Sequence, residues 1–382
     1  MNSDWFVWMV TLSIVVYALV ISVATFFWIK FKPLSSNNSK VLPVSISVII
    51  AARNEEDNIV NCLESIFDQN YPIEYFEVIV VNDNSTDSTA LVIEKWIKKH
   101  KKNAKLIHLP IDVKTKSYKK LAIQTAIKVA IGDLIVTTDA DCLVSNNWLN
   151  SIAHEYNKHG HKMIAGPVFI SPVESFSHKL QNIELAALIG IGGAFLQAGI
   201  PVMCNGANLI YEKKSFLEIE GFKSIDNRAS GDDMLLMLKF KKHFGAKSIG
   251  FLKNPDAVVY TKPVEKFKIF FQQRKRWASK SKEYQDLAVV CLAGIVFFAA
   301  FSLCICLVLS FISNKFAFLF IFLFSMKSTI DFIFLYSISS FFKNRKWLWL
   351  TIPGQLLNII YVPVIAIVSQ FGGYHWKGRK LS

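Results

Sequence analysis

Between Trp5 and Trp28 the chain carries no charged residue, and a stretch of that length leaves it few options. At 1.5 Å per residue it makes a helix of about 35 Å, long enough to cross a bilayer. Tryptophans near both ends suit the two interfaces. A cleaved signal peptide is the rival reading. It is disfavoured because the apolar run is too long and Lys30 and Lys32 follow it instead of preceding it. The same lysines predict a cytoplasmic domain after residues 1–32 and an outside N-terminus. After Asp286 the segments 287–312, 316–342 and 347–371 read as three further candidate spans, within a C-terminal membrane region 287–371. Lys327 and Asp331 lie in the second, spaced so that they can pair on one helix face. Four simple crossings would leave the basic tail, residues 372–382 with Lys377, Arg379 and Lys380, on the outside, against the positive-inside tendency. One of the last segments is then expected to be re-entrant or interfacial. The apolar, glycine-rich stretch 185–204 would cut the intervening domain in two if it spanned, so it is expected to be a buried or membrane-facing helix.

These runs explain why 52% of the 382 residues are hydrophobic. The net charge of +14 fits basic residues on the cytoplasmic side of a membrane protein. No nucleic-acid-binding motif accompanies it, so no nucleic-acid partner is expected. Six cysteines, at 62, 142, 204, 291, 304 and 306, show no zinc-ligand spacing and read as reduced packing residues.

Between residues 41 and 262, strand and helix signals alternate, implying an α/β domain with a mostly parallel sheet. In such sheets ligands bind at the carboxyl ends of the strands. Three apolar strands, beginning near Ile46, Phe76 and Leu134, run into polar residues: Ala52-Arg53-Asn54-Glu55, Asn82-Asp83-Asn84-Ser85 and Asp139-Ala140-Asp141. One aspartate after a strand is usually a turn or cap. Three strand ends that each deliver a carboxylate to one rim are harder to explain by turns. No dinucleotide fingerprint or P-loop occurs, so phosphate would be held by a cation and basic side chains. Asp139 and Asp141, one residue apart, can bind Mg²⁺ or Mn²⁺ and leave positions for diphosphate oxygens.

At this point the chain resembles the family 2 glycosyltransferases of the GT-A fold, and in particular their membrane-bound branch of polysaccharide synthases and ceramide glucosyltransferases. The resemblance spans most of residues 45–280. It rests on the three rim segments, Lys119, Asn205-Gly206-Ala207-Asn208, Gly231-Asp232-Asp233 and Gln273-Arg274-Lys275-Arg276-Trp277, in that order. It implies a Rossmann-like mixed sheet with one N-terminal and about three C-terminal transmembrane helices. It places Ala52, Arg53 and Glu55 in the nucleotide pocket, Asp83 on a uracil-type base, Lys119 on the diphosphate or sugar, Asp139 on the nucleotide or sugar, and Asp141 on the metal. Asp233 matches the general base of a one-step, inverting transfer. Where the family often has Glu-Asp, this chain has Asp232-Asp233, and either residue could instead cap the helix that follows. Gln273, Arg276 and Trp277 lie in an amphipathic interface stretch, residues 263–286. There the resemblance implies that Gln273 and Arg276 hold the diphosphate and Trp277 stacks on the acceptor.

The expected activity is transfer of a sugar from a UDP-type nucleotide-sugar to a lipid or glycan at the membrane. A processive polysaccharide synthase is the alternative enzyme, disfavoured by too few helices for an export channel. A non-catalytic transporter or scaffold is the remote alternative.

Overall fold

A computed structural model describes residues 3–34, 42–110, 115, 117–228, 230–371, 373–377 and 379–381. The strands are β1 (Ile46–Ala52), β2 (Phe76–Asn82), β3 (Ala104–His108), β4 (Leu134–Asp139), β5 (Met163–Ala165), β6 (Val168–Ile170), β7 (Leu209–Glu212), β8 (Ile249–Phe251), β9 (Val259–Thr261), β10 (Tyr374–Trp376) and β11 (Arg379–Leu381). The helices are α1 (Ser3–Lys30), α2 (Ile59–Phe67), α3 (Thr89–His100), α4 (Tyr118–Val129), α5 (Trp148–His159), α6 (Phe176–Gln197), α7 (Lys213–Glu218), α8 (Met234–Phe244), α9 (Phe267–Ser279), α10 (Leu287–Ser310), α11 (Asn314–Phe342) and α12 (Thr351–Val368).

Seven strands form one sheet in the order β3-β2-β1-β4-β7-β5-β8. The β3-β2-β1-β4 half is parallel, and β7 runs antiparallel to both β4 and β5. The sheet is therefore mixed. Strands β1, β2 and β4 carry apolar residues toward both faces because both are covered, and Val48, Ile50, Val78, Val80, Ile135 and Val136 are fully buried. The register sets Ala52 beside Asn82 and Ala51 beside Asp139, so three polar strand ends fall level on one rim.

Among the described residues, five helices are long and apolar enough to cross a membrane. Four of them bury only about a third or less of their most apolar window, whereas α6 buries 61% of its own. Glycines explain how α6 comes so close to its neighbours. A Cβ on Gly193 would meet Phe251 at 2.9 Å and Trp28 at 3.0 Å, and one on Gly190 would meet Ile338 at 3.0 Å. Helix α6 is thus a buried floor between the sheet and the apolar bundle. Trp28 packs edge-on against Phe251 and Phe341, and Lys253 donates to the carbonyls of Trp28 and Phe31 at the end of α1. That arrangement ties α1 to the end of β8.

Helices α1 and α11 run in the same direction. Lys315 pairs with Asp4 at 3.3 Å at one end, and Phe341 meets Trp28 at the other. The chain leaves α11 on the side of the α/β domain, where Asn344 donates to Asn182 of α6 at 3.1 Å. It then descends, and Gln355 of α12 bonds Lys327 and Asp331. Asp331 is about 16 Å from Phe342 at helical rise. Helix α12 then returns to α9, with Tyr361 and Phe270 5.8 Å apart, and the tail ends against the strand rim. The last apolar segment therefore touches the α/β domain and its α9 extension near both ends, at Asn182 and at Phe270.

Candidate active site

The loops after β1 and β2 form one laced cradle. Asn54 and Asn84 both adopt positive φ, at 52° and 48°, a conformation asparagine tolerates better than most residues. The Asn54 side chain accepts from the Thr86 amide at 2.9 Å, the Glu55 amide donates to Thr89 Oγ1 at 2.8 Å, and Arg53 Nη1 donates to the carbonyls of Asp83 and Asn84, both at 2.7 Å. Ala52 is buried beneath them, and its carbonyl accepts from the Asp83 amide.

Lys119 at the start of α4 joins two parts of the chain. Its Nζ lies 2.7 Å from Asp139 at the end of β4 and 3.2 Å from Asp232. Burial opposes the charge on Lys119, but Asp139 and Asp232 outweigh it and hold the pKa well above the usual lysine value. Burial likewise opposes ionisation of Asp232, and Lys119 and Lys280 overcome it, taking its pKa down to about 2. Close approach is possible because residue 206 is glycine: a Cβ there would sit 3.0 Å from Asp232 Oδ2. The neighbouring Lys120 turns the other way. It donates to the carbonyls of Ile225, Arg228 and Ser230 at 2.6–3.0 Å, and so holds the approach to Gly231-Asp232-Asp233.

Asp233 is the N-cap of α8. Its Oδ1 accepts from the Met234 amide at 2.6 Å and from Lys280 Nζ at 3.0 Å. Capping and a place at the site therefore coexist in one residue.

Asp139, Asp141 and Cys142 bring their ligand atoms within 4.8 Å of one another. Burial pushes the Cys142 thiol well above its ordinary value, so it is a packed thiol and a poor ligand. Asp141 is pushed up to about 6 by burial, and then by the carboxylates of Asp139 and Glu55. Crowded carboxylates of this kind suit a hard divalent cation, which would relieve their repulsion.

On α9, Arg274 makes a bidentate pair with Glu184 of α6, with contacts of 2.6–3.2 Å, and stacks on Phe270 and Trp277. It also donates to Gln273 Oε1 at 2.7 Å. Arg276 Nε is buried with no hydrogen-bond partner, as a donor awaiting a ligand would be.

The tail completes the rim. Strand β10 packs on α9. Arg379 forks onto Asp83 at 2.7 and 3.0 Å and lies 3.7 Å over the Tyr118 ring, while Lys377 pairs with Glu55 and donates to the Arg53 carbonyl at 2.8 Å. The structure thus gathers Ala52, Arg53, Glu55, Asp83, Lys119, Asp139, Asp141 and Asp233 along the rim, with the α9 motif joined to it through the hairpin. Sequence reasoning missed Lys120, Glu184, Arg274, Lys280, Lys377 and Arg379 as parts of the site. The tail's basic residues were visible, but only as a topological puzzle.

This sheet order, with its polar rim, is that of the GT-A fold. The mannosyltransferase PcManGT from Pyrobaculum calidifontis, solved in complex with GDP-Man and Mn²⁺, matches with a TM-score of 0.57 over 88% of this chain and 98% of that one, at 16% identity. The model of glycosyl transferase family 2 matches residues 47–219 and that of glycosyl transferase family group 2 matches residues 134–362, and the chain belongs to this family of glycosyltransferases. It is 26% identical over 266 residues to a poly-beta-1,6-N-acetyl-D-glucosamine synthase of Staphylococcus epidermidis, a match covering 68% of this chain and 60% of that relative. An N-acetylglucosaminyltransferase of Rhizobium meliloti is 25% identical over 76% of this chain and 70% of its own length.

Proposed function

We propose that the protein is a membrane-bound, inverting glycosyltransferase that moves one hexose or N-acetylhexosamine from a UDP-type donor to a lipid or glycan acceptor, with its catalytic domain on the cytoplasmic side. The observation that carries this reading is the Lys119 bridge, which brings the β4 carboxylates and the Asp232-Asp233 pair into one site. Ala52, Arg53 and Glu55 line the nucleotide pocket and Asp83 takes the base. Asp83 is paired with Arg379 here, so the base and the tail compete for one carboxylate. Asp139 and Asp141 hold Mg²⁺ or Mn²⁺, which when bound neutralises diphosphate charge. Gln273 and Arg276 grip the diphosphate, and Trp277 offers the acceptor a ring face.

Asp233 is the base. Its Oδ2 takes the proton of the acceptor hydroxyl as that oxygen attacks the anomeric carbon, and the bond to the diphosphate breaks on the opposite face. Asp232 is held by Lys119 at 3.2 Å and positions that lysine. A processive polysaccharide synthase is the second reading, favoured by the likeness to the Staphylococcus synthase.

The test is to incubate detergent-purified protein with a panel of UDP- and GDP-sugars plus membrane lipid extract, and to identify products by mass spectrometry. A product extended by one sugar supports the first reading and a long ladder the second. Absence of transfer from every donor, in protein that binds nucleotide, would sink both.

A further inference from the structure

We propose that a second metal site, for a transition-metal cation of the Zn²⁺ class, lies at the end of the sheet opposite the active site and is formed by Glu155, His159 and His161. The strand register sets Met163 beside Tyr211 and Leu134 beside Glu212, so His161 enters β5 at the end of the sheet remote from Asp139. Glu155 and His159 are one turn apart on α5. Gly160 ends the helix in the left-handed conformation, φ 64°, and this turn folds His161 back over the same carboxylate.

The three ligand atoms lie within 4.8 Å of one another. Glu155 Oε1 is 2.8 Å from His159 Nδ1 and 3.5 Å from His161 Nδ1. Ligands at about 2.0–2.2 Å from a tetrahedral zinc are separated by about 3.2–3.6 Å, so small side-chain shifts close a site around an ion. Two imidazoles and one carboxylate select zinc and its neighbours over Mg²⁺ or Ca²⁺.

An ordinary surface pair explains Glu155 with His159 but not the rest. The Glu155 side chain is only 5% exposed, which is costly for a carboxylate unless it is well partnered. His161 Nδ1 is buried and makes no hydrogen bond although it faces that carboxylate. Its ring lies flat on Gly250, where a Cβ would meet Nδ1 at 2.3 Å, so the ring's place is built into the β8 backbone. The carbonyl end of α5 adds partial negative charge that favours a cation. His159, 40% exposed, is the side from which an ion enters.

The experiment uses tag-free, full-length protein in detergent, stripped with EDTA and dialysed against micromolar Zn²⁺ with millimolar Mg²⁺ present to occupy the Asp139/Asp141 pair. Bound zinc is measured by elemental analysis, and thermal unfolding is followed with and without Zn²⁺. One Zn²⁺ per chain is expected, with a Tm that rises on binding. His159→Asn and His161→Asn are each expected to weaken retention at least about tenfold, since even outer partners of a metal site change affinity by that much. Asp141→Asn is expected to retain the zinc. Absence of zinc in the wild type, or equal retention when both histidines are replaced, overturns the site. Because His159 is part-exposed and Asn is close to it in shape, this variant is expected to fold, and its unfolding curve without zinc checks that it does.

Discussion

Two buried networks of charged side chains, one in the apolar bundle and one at the strand rim, differ in completeness. In the apolar bundle, Lys327 bonds Asp331 and Gln355, both at 2.6 Å, Gln355 bonds Asp331, and Tyr17 donates to Asp331 at 2.7 Å. Every charge there has a neutralising partner within the protein. At the strand rim, Lys119 serves two carboxylates, Asp141 and Asp139 crowd Glu55, and Arg276 Nε and Thr138 Oγ1 make no hydrogen bond. A closed network holds helices together. A network with crowded carboxylates and idle donors is shaped for something that is not protein.

The comparison can be broken in order of expected effect. Chelation with EDTA should abolish transfer altogether, and Mn²⁺ or Mg²⁺ should restore it. Full activity in EDTA would leave the crowding of Asp139 and Asp141 without a metal to explain it. Asp233→Asn comes next. It keeps the helix cap but removes the proton acceptor, so turnover should fall about 10²–10⁴-fold with donor KM nearly unchanged. Near-normal turnover would leave Asp233 a cap only. Asp331→Ala should leave Lys327 buried without its counter-charge and destabilise the bundle by about 3–5 kcal/mol, whereas replacing both Lys327 and Asp331 with apolar residues should cost far less. Detergent-resolved thermal unfolding of single and double variants measures this. If the double variant is the worse of the two, the network does more than hold helices. The smallest effect is that of Asp83→Asn, expected to weaken donor binding about tenfold with little change in turnover, read from KM and kcat separately.

Much of the rim was legible because its signals are local. An apolar strand with Asp or Glu at its end or within three residues of it can be read without knowing what lies across the sheet, and β1, β2 and β4 all have that form. Neighbouring lysines were not separable in this way. Lys119 and Lys120 differ by one helical step, about 100°, and only the position of the loop at residues 225–230 decides which faces the carboxylates. The stretch around Gly190 and Gly193 could be read as a buried helix, but the surfaces that need those glycines, Trp28, Phe251 and Ile338, come from three other elements. The tail was opaque for the same reason: Arg379 meets Asp83 across 296 residues of chain. The pairing of Lys327 with Asp331 could be anticipated from their spacing, while Tyr17 and Gln355, on separate helices, could not.

The anchorage of α1 has a consequence for what the enzyme can reach. Lys253 grips the last carbonyls of α1 and lies 4.1 Å over the Trp28 ring, and α6 packs on the same tryptophan. The sheet is therefore tied to its apolar stem at this joint through both β8 and α6. In a bilayer such a joint would tie the height of the sheet above the lipid to the end of α1.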